Sequence, residues 1–245
     1  MELEFDFEKR HRLVREVIET IVLTVLMFLV IRLAVQNFFV DGMSMEPNLH
    51  NQETILVDRW SYMLRPPARG DVIVFVAPPN PTQDYVKRVI GLPGDVITVQ
   101  NTTVYVNGKV LKDAFVDPRR QGNPFPSFTN RIVPPNAYFV LGDNRGGSSD
   151  SRDWGCVPKA NIIGQAALVY WPLGQDNNGL LPSVASDFTG IPQPPNVATK
   201  DICPIKFTVG TASTDNHLDM NMFVVPALPG LFVLFTHRAR RRIRK

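Results

Sequence analysis

Cysteine is scarce. The 245 residues hold two, Cys156 and Cys203, and neither sits in a C-x-x-C pair, so no cysteine-built metal site is expected. Two cysteines so far apart are weak evidence for a disulfide, which also needs an oxidising compartment; pairing is not expected. Histidine is nearly as rare. Of four, His11 precedes the long apolar run, and His217 and His237 lie near the C-terminus, which leaves His50 in the body. Basic charge is thin there too, because six of the 26 Lys and Arg residues crowd into "RARRRIRK", Arg238–Lys245. Nucleic-acid binding needs basic residues spread over a folded face, so it is not expected. A basic terminal cluster more often marks a membrane-facing or disordered end. Nothing points to a metal or another cofactor.

What is present begins with "IVLTVLMFLVIRLAVQNFFV", Ile21–Val40. Roughly 20 mostly apolar residues span a bilayer. Arg32, Gln36 and Asn37 lie towards one end, where polar groups reach the headgroups. No small-x-small cleavage site follows the run, so an uncleaved anchor over residues 17–40 is expected. Lys9, Arg10, Arg12 and Arg15 precede it, and no Lys or Arg follows until Arg59. That asymmetry predicts residues 1–16 inside and the main domain outside.

From Thr54 short apolar runs alternate with turns. "TILV" (Thr54–Val57), "DVIVFVA" (Asp71–Ala77), "YVKRVIG" (Tyr85–Gly91), "DVITV" (Asp95–Val99), "AYFVLG" (Ala137–Gly142) and "GQAALVYW" (Gly164–Trp171) read as strands. "VYVNGKVL", Val104–Leu111, reads as a hairpin about Asn107-Gly108. The expected class is a mainly β domain, antiparallel, behind an N-terminal transmembrane helix. It runs over 41–172, with a flap or small lobe near 100–136. Residues 173–221 read as a linker with little to bury. Residues 222–245 carry the apolar Met222–Phe235 and then the basic tail; they read as a second membrane segment or an interfacial one.

Ser44 lies in "DGMSMEPNLHNQ", just past the anchor. A nucleophilic serine needs a base in reach and donors for an oxyanion. The surroundings lack G-x-S-x-G, and histidine fits poorly. Lysine is the other candidate. Its reference pKa of about 10.4 keeps it protonated, unless burial lowers it by units. In "DYVKRVIGLPGD", alternation puts Lys87 on one strand face with Tyr85 and Val89, and Arg88 on the other. A third stretch, "GDNRGGSSDSRDWG" (Gly142–Gly155), packs Asp, Asn, Arg and Ser into one loop after a strand, where catalytic groups concentrate.

"SMEPNL" (Ser44–Leu49), "RGDVIVF" with "YVKRVIGLPGD" (Arg69–Phe75, Tyr85–Asp95) and the Gly142–Gly155 loop, in this order behind an anchor, resemble type I signal peptidase over residues 15–172. The resemblance implies an antiparallel β-sheet catalytic domain with Ser44 as nucleophile and Lys87 as general base. It implies that Ser148 bonds and orients the lysine. Asp150, Arg152 and Arg88 would form an ion-pair cluster, and Asp143, Asn144 and Arg145 would shape the loop. Met45, Leu49, Tyr85 and Val86 would line small S1 and S3 pockets. Implied substrates are secreted preproteins with signal peptides, cut after small-x-small sites outside a bacterial plasma membrane, so the partners are preproteins and the lipid bilayer. Gly42 stands where some members carry an oxyanion serine, leaving the Ser44 N–H as the named donor. Asn48 stands where threonine is common. The alternative is a non-enzymatic, membrane-tethered β domain that binds extracytoplasmic partners.

Overall fold

The computed structural model describes residues 2–122, 127–174, 176, 177, 179–196, 201–206, 209, 242 and 243. The chain divides into two compact units, Met1–Gln36 and Asn37–Lys245. The first is built on helix α1, Glu2–Ala34. Within it, Arg12–Ala34 is long and apolar enough to cross a membrane. Its apolar side chains are exposed all round, from Leu13 to Leu33, which fits a helix solvated by lipid.

The apolar run continues to Val40, but the helix does not. Val35–Val40 is strand β1. Valine and phenylalanine at these positions favour extended backbone, and alternate side chains, Phe38 and Val40, turn into a core where both are buried. The sequence-derived anchor over 17–40 is thus six residues too long at its end. Apolar composition alone does not separate a span from a buried strand.

The elements that follow are β2 (Thr54–Asp58), α2 (Ser61–Leu64), β3 (Val72–Val76), β4 (Asp84–Gly91), β5 (Val96–Gln100), β6 (Thr103–Val106), β7 (Lys109–Val110), β8 (Phe128–Ile132) and β9 (Ala137–Leu141). Then come α3 (Ser151–Trp154), β10 (Val157–Pro158), β11 (Ile162–Trp171), β12 (Gly179–Leu180) and β13 (Arg242–Ile243). One sheet runs β10-β9-β4-β13-β1-β2-β11-β12, with β3 bridging β4 and β11. The β9–β10, β4–β9, β3–β4, β3–β11, β2–β11 and β11–β12 pairings are antiparallel, and β13 lies parallel to both β1 and β4. A smaller antiparallel sheet runs β7-β6-β5-β8. Asn107 and Gly108 make the β6–β7 turn at φ 52° and 80°, the left-handed backbone a two-residue hairpin requires.

Apolar packing sets the site in place. Ile97, Val99, Val104 and Val106 of the small sheet pack with Ile90, Phe139 and Leu141 of the large one. A second cluster gathers Phe38, Val40, Val57, Val74 and Val86 with Met45 and Leu49 from the loop after β1. Burying Met45 and Leu49, each at most 1% exposed, contributes about 1.5–3 kcal/mol apiece and pins that loop.

Two further features differ from the sequence expectation. The described part of 173–221 is no free linker. Phe188 is buried and stacks 6.2 Å from Phe115, and Leu181 and Val184 pack on the core. Polar composition hid these few anchoring apolar residues. Cys156 and Cys203 form a disulfide, with Cα atoms 5.7 Å apart. Around it, Ile132 accepts from the Cys203 N–H and Pro204 from the Cys156 N–H. The clip therefore ties the end of β8 to the segment after α3, one sheet to the other. Separation in sequence carries no information about that meeting. Met222–Phe235 lies outside the described residues, as do His217 and His237.

Closing 47 residues restricts the unfolded chain by about 4 kcal/mol on a chain-entropy model. Cys156→Ser with Cys203→Ser is expected to lower stability by about 2–5 kcal/mol in thermal unfolding. Reductant should bring the wild-type chain to the same midpoint. A double variant as stable as wild type would remove the clip from the account.

Candidate active site

The loop after β1 turns sharply over Gly42 (φ 135°) and is anchored by Met45 and Leu49. Between Gly42 and Met45, Ser44 faces β4. Its Oγ lies 2.8 Å from the Nζ of Lys87. That nitrogen also donates to the Val86 carbonyl at 3.0 Å and lies 5.3 Å from the Tyr85 ring centre. Lys87 is wholly buried, so removal from water disfavours its charged form. Burial lowers its pKa from 10.5 to about 8, against the pull of Asp150 and Asp143 and with a smaller push from Arg152.

Strand alternation accounts for the division of labour along β4. Lys87 shares its face with Tyr85, and Arg88 turns the other way to Asp143. The sequence grouped Arg88 with Asp150 and Arg152; the structure makes two separate pairs instead. Arg88 is bidentate to Asp143 at 2.6 and 2.8 Å and also donates to the Gly70 carbonyl. Arg152 is bidentate to Asp150, 2.8 Å at each oxygen. All four side chains are at most 3% exposed, and carboxylates so placed need such saturation with donors.

Ser148 is also placed differently from expectation. Its hydroxyl donates to Asp150 at 2.9 Å, and Lys87 has no hydrogen bond to it among the described residues. A carboxylate two residues away is the stronger local acceptor. Ser148 therefore acts on the lysine at one remove, by holding Asp150. Gly142 permits the whole assembly. A Cβ there would meet Ser148 Oγ at 2.2 Å and the Ser44 carbonyl oxygen at 2.5 Å, so only glycine lets the serine loop approach the end of β9. Its own N–H donates to Asp150.

Asn144 donates through its backbone to the Ser44 carbonyl and through its side chain to the Met43 carbonyl, each at 3.0 Å. Arg145 is bidentate to Asp113 at 2.7 and 2.8 Å, a partner with no local sequence signal. Asn48 spends both amide protons: one on Asp143 at 2.9 Å, one on the Phe115 carbonyl at 2.8 Å. A threonine hydroxyl has a single proton to give. The Gly42 N–H is taken by Asn51 at 2.8 Å, so it adds no second oxyanion donor here. Of the expected pocket residues, Met45, Leu49 and Val86 pack together in one apolar cluster. Tyr85 belongs to another, with Phe75, Val89 and Trp154. No cluster of metal-ligating residues occurs among the described residues.

A serine hydroxyl against a dry amine of lowered basicity, framed by buried ion pairs, is an arrangement suited to a peptidase of the serine class. Residues 14–171 match the family model described as signal peptidase, peptidase S26. The chain belongs to that family and is a serine peptidase. It is 43% identical over 149 residues to a signal peptidase I of Bacillus caldolyticus, covering 57% of this chain and 81% of that protein. It is 38% identical over 168 residues to one from Leptolyngbya laminosa, 65% and 81% of the two chains. With a signal peptidase IB of Staphylococcus aureus it is 32% identical over 187 residues, 71% and 97%. A crystal structure of an Enterococcus faecalis signal peptidase I is 35% identical, covering 41% of this chain and 97% of that one, at a TM-score of 0.36.

The lysine's burial has a measurable cost. Depressing an amine from 10.5 to about 8 costs the fold about 3 kcal/mol wherever both states are protonated. That cost is whole below pH 8. It fades between 8 and 10.5, because there the unfolded chain binds more protons, so this group makes stability rise with pH. Lys87→Met, close in volume and uncharged, should raise stability at pH 7 by about 2–3 kcal/mol in urea unfolding, and should flatten the rise above pH 8. A destabilised Lys87→Met with the rise intact would contradict the burial argument.

Proposed function

We propose that the chain removes signal peptides from secreted preproteins, cutting after small-x-small sequences with Ser44 and Lys87 as its catalytic pair. The single observation that carries this reading is the 2.8 Å contact between a fully buried lysine and Ser44. The neutral amine takes the hydroxyl proton as Ser44 Oγ attacks the scissile carbonyl. Lys87, now charged, gives that proton to the leaving amine. The mature protein leaves with that amine as its new N-terminus; water then attacks the acyl-enzyme, with Lys87 again as base, and releases the signal peptide as a carboxylic acid. A binding module would have no use for an amine buried at such cost against a hydroxyl.

The substrate lies extended between β1 and β4. Support comes from the short strand β13, which pairs there with Phe39, Val40 and Asp84: the slot accepts extended backbone. Main-chain pairing fixes register and leaves alternate side chains facing pockets. Met45, Leu49, Tyr85 and Val86 would line those for P1 and P3. Apolar α1 would supply the anchor, and the charge asymmetry of its flanks supports a domain on the outer side of a bacterial plasma membrane. Met222–Phe235 is proposed as an interfacial membrane segment on the domain's own side, because Arg242 and Ile243 after it pair with β1 and β4. Enzyme and substrate then share one bilayer, which raises their effective concentration.

Cleavage of an Ala-x-Ala preprotein in detergent tests this. Wild type should cut once, after the second alanine; Ser44→Ala and Lys87→Arg should be inactive, because a guanidinium stays protonated. The rate should rise with pH through an apparent pKa near 8. The Asp150 charge holds the Lys87 pKa up, so Asp150→Asn should move that limb to lower pH. A flat profile, or an active Lys87→Arg, would sink the pair.

A further inference from the structure

We propose that Asn144 is the positioning residue of the oxyanion site, acting through the peptide bond between Met43 and Ser44. This deepens the peptidase reading above and rests on it. A peptide unit is planar, so its C=O and N–H point in opposite directions. Whatever fixes the Met43 carbonyl therefore aims the Ser44 N–H. The Met43 oxygen accepts from Asn144 Nδ2 at 3.0 Å and from the Glu46 N–H at 3.3 Å. Asn144 also donates its backbone N–H to the Ser44 carbonyl at 3.0 Å. One residue thus grips the nucleophile on both sides.

The amide's own orientation is set. Asn144 Oδ1 accepts from the Gly147 N–H at 3.2 Å, which leaves Nδ2 as the end that meets Met43. Asn144 is 8% exposed, so water competes little for these groups. The loop it holds needs holding, since Gly42 at φ 135° leaves the preceding backbone free of side-chain constraint. The Ser44 N–H makes no hydrogen bond among the described residues, whereas the Gly42 N–H is committed to Asn51. The donor left for negative charge is the one Asn144 aims. Hydrogen bonds accepted at the Met43 oxygen also polarise the amide and strengthen its N–H as a donor.

The test uses the full chain in detergent and two variants. Asn144→Ala removes both side-chain bonds; Asn144→Asp keeps the acceptor for Gly147 and loses the donor to Met43. Each should lower kcat on the high-pH plateau by about 10- to 100-fold, less than the roughly 10²–10³ lost with a removed oxyanion donor, with KM little changed; the pH midpoint of Lys87 should hold in Asn144→Ala and rise in Asn144→Asp, whose added charge favours the protonated amine. The decisive readout is a pair of ligands. A small-x-small peptide boronic acid adds reversibly to Ser44 Oγ, the hydroxyl proton passing to Lys87, and places a tetrahedral oxygen where the oxyanion forms. The same peptide as a carboxamide binds without adding. The variants should lose affinity for the boronic acid by about the factor lost in kcat, and little for the carboxamide. Equal losses for both ligands, an unchanged plateau kcat in Asn144→Asp, or a displaced pH midpoint in Asn144→Ala would overturn the proposal. If Asn144→Ala fails to fold, Asn144→Asp decides alone, and if neither folds, the residue is structural and the proposal fails. Activity remaining in Ser44→Ala would instead overturn the peptidase reading itself.

Discussion

A lysine amine with no water around it, against a serine hydroxyl, is costly to make, and the rest of the domain reflects that cost. Left alone, Lys87 would turn outward to water. It does not, because β4 lies between β3 and β9 in the interior of the sheet, with all eight of its residues buried. A long flexible side chain on a surface strand would reach solvent; one on an interior strand under two apolar clusters does not. The apolar core is thus what lowers the amine's basicity.

Carboxylates near that amine pull the other way. Asp150 and Asp143 both favour its charged form, and free carboxylates at this depth would restore a protonated lysine. Each is saturated by its own guanidinium: Arg152 on Asp150, Arg88 on Asp143. Arg152 offsets part of that pull, and both arginines use the carboxylates to hold the loop. Asp150 binds Ser148, Gly142 and Arg152 together. Asp143 binds Asn48 as well as Arg88, and so ties the nucleophile loop to the loop that follows β9. The same ion pairs thus tune the base and build the site, which explains two bidentate pairs within so short a stretch.

Much of this was legible before any coordinate. Alternation in "YVKRVIG" separated Lys87 from Arg88, and motif order brought Ser44, Lys87 and the Gly142–Gly155 loop into one site. Pairing was not legible. Which carboxylate takes Arg88 depends on where β9 ends relative to β4, a matter of register rather than composition. Asp113 for Arg145 and Cys203 for Cys156 are long-range meetings of the same kind. The end of α1 was misjudged for a different reason: "VQNFFV" suits both lipid and a sheet interior, and only the burial of Phe38 and Val40 decides. Residues 181–188 were misjudged because a few buried apolar side chains suffice to fasten a polar segment.

Asparagine does the work at the joints of this site, and its chemistry says why. The nucleophile loop must be fixed by groups that satisfy backbone carbonyls without bringing a charge near Lys87. Arginine or lysine would satisfy them and push the base further down; aspartate would supply no donor and pull the base up. A neutral amide offers two donors and an acceptor. Asn48 spends both donors, on Asp143 and the Phe115 carbonyl. Asn144 binds Met43 through its amide nitrogen and Gly147 through its oxygen. The carboxylates that act on the amine sit in the two ion pairs, and the Met43, Gly147 and Phe115 backbone groups are held by neutral amides. That separation lets loop geometry be held without resetting the basicity of the amine, a constraint that a more highly charged loop could not meet.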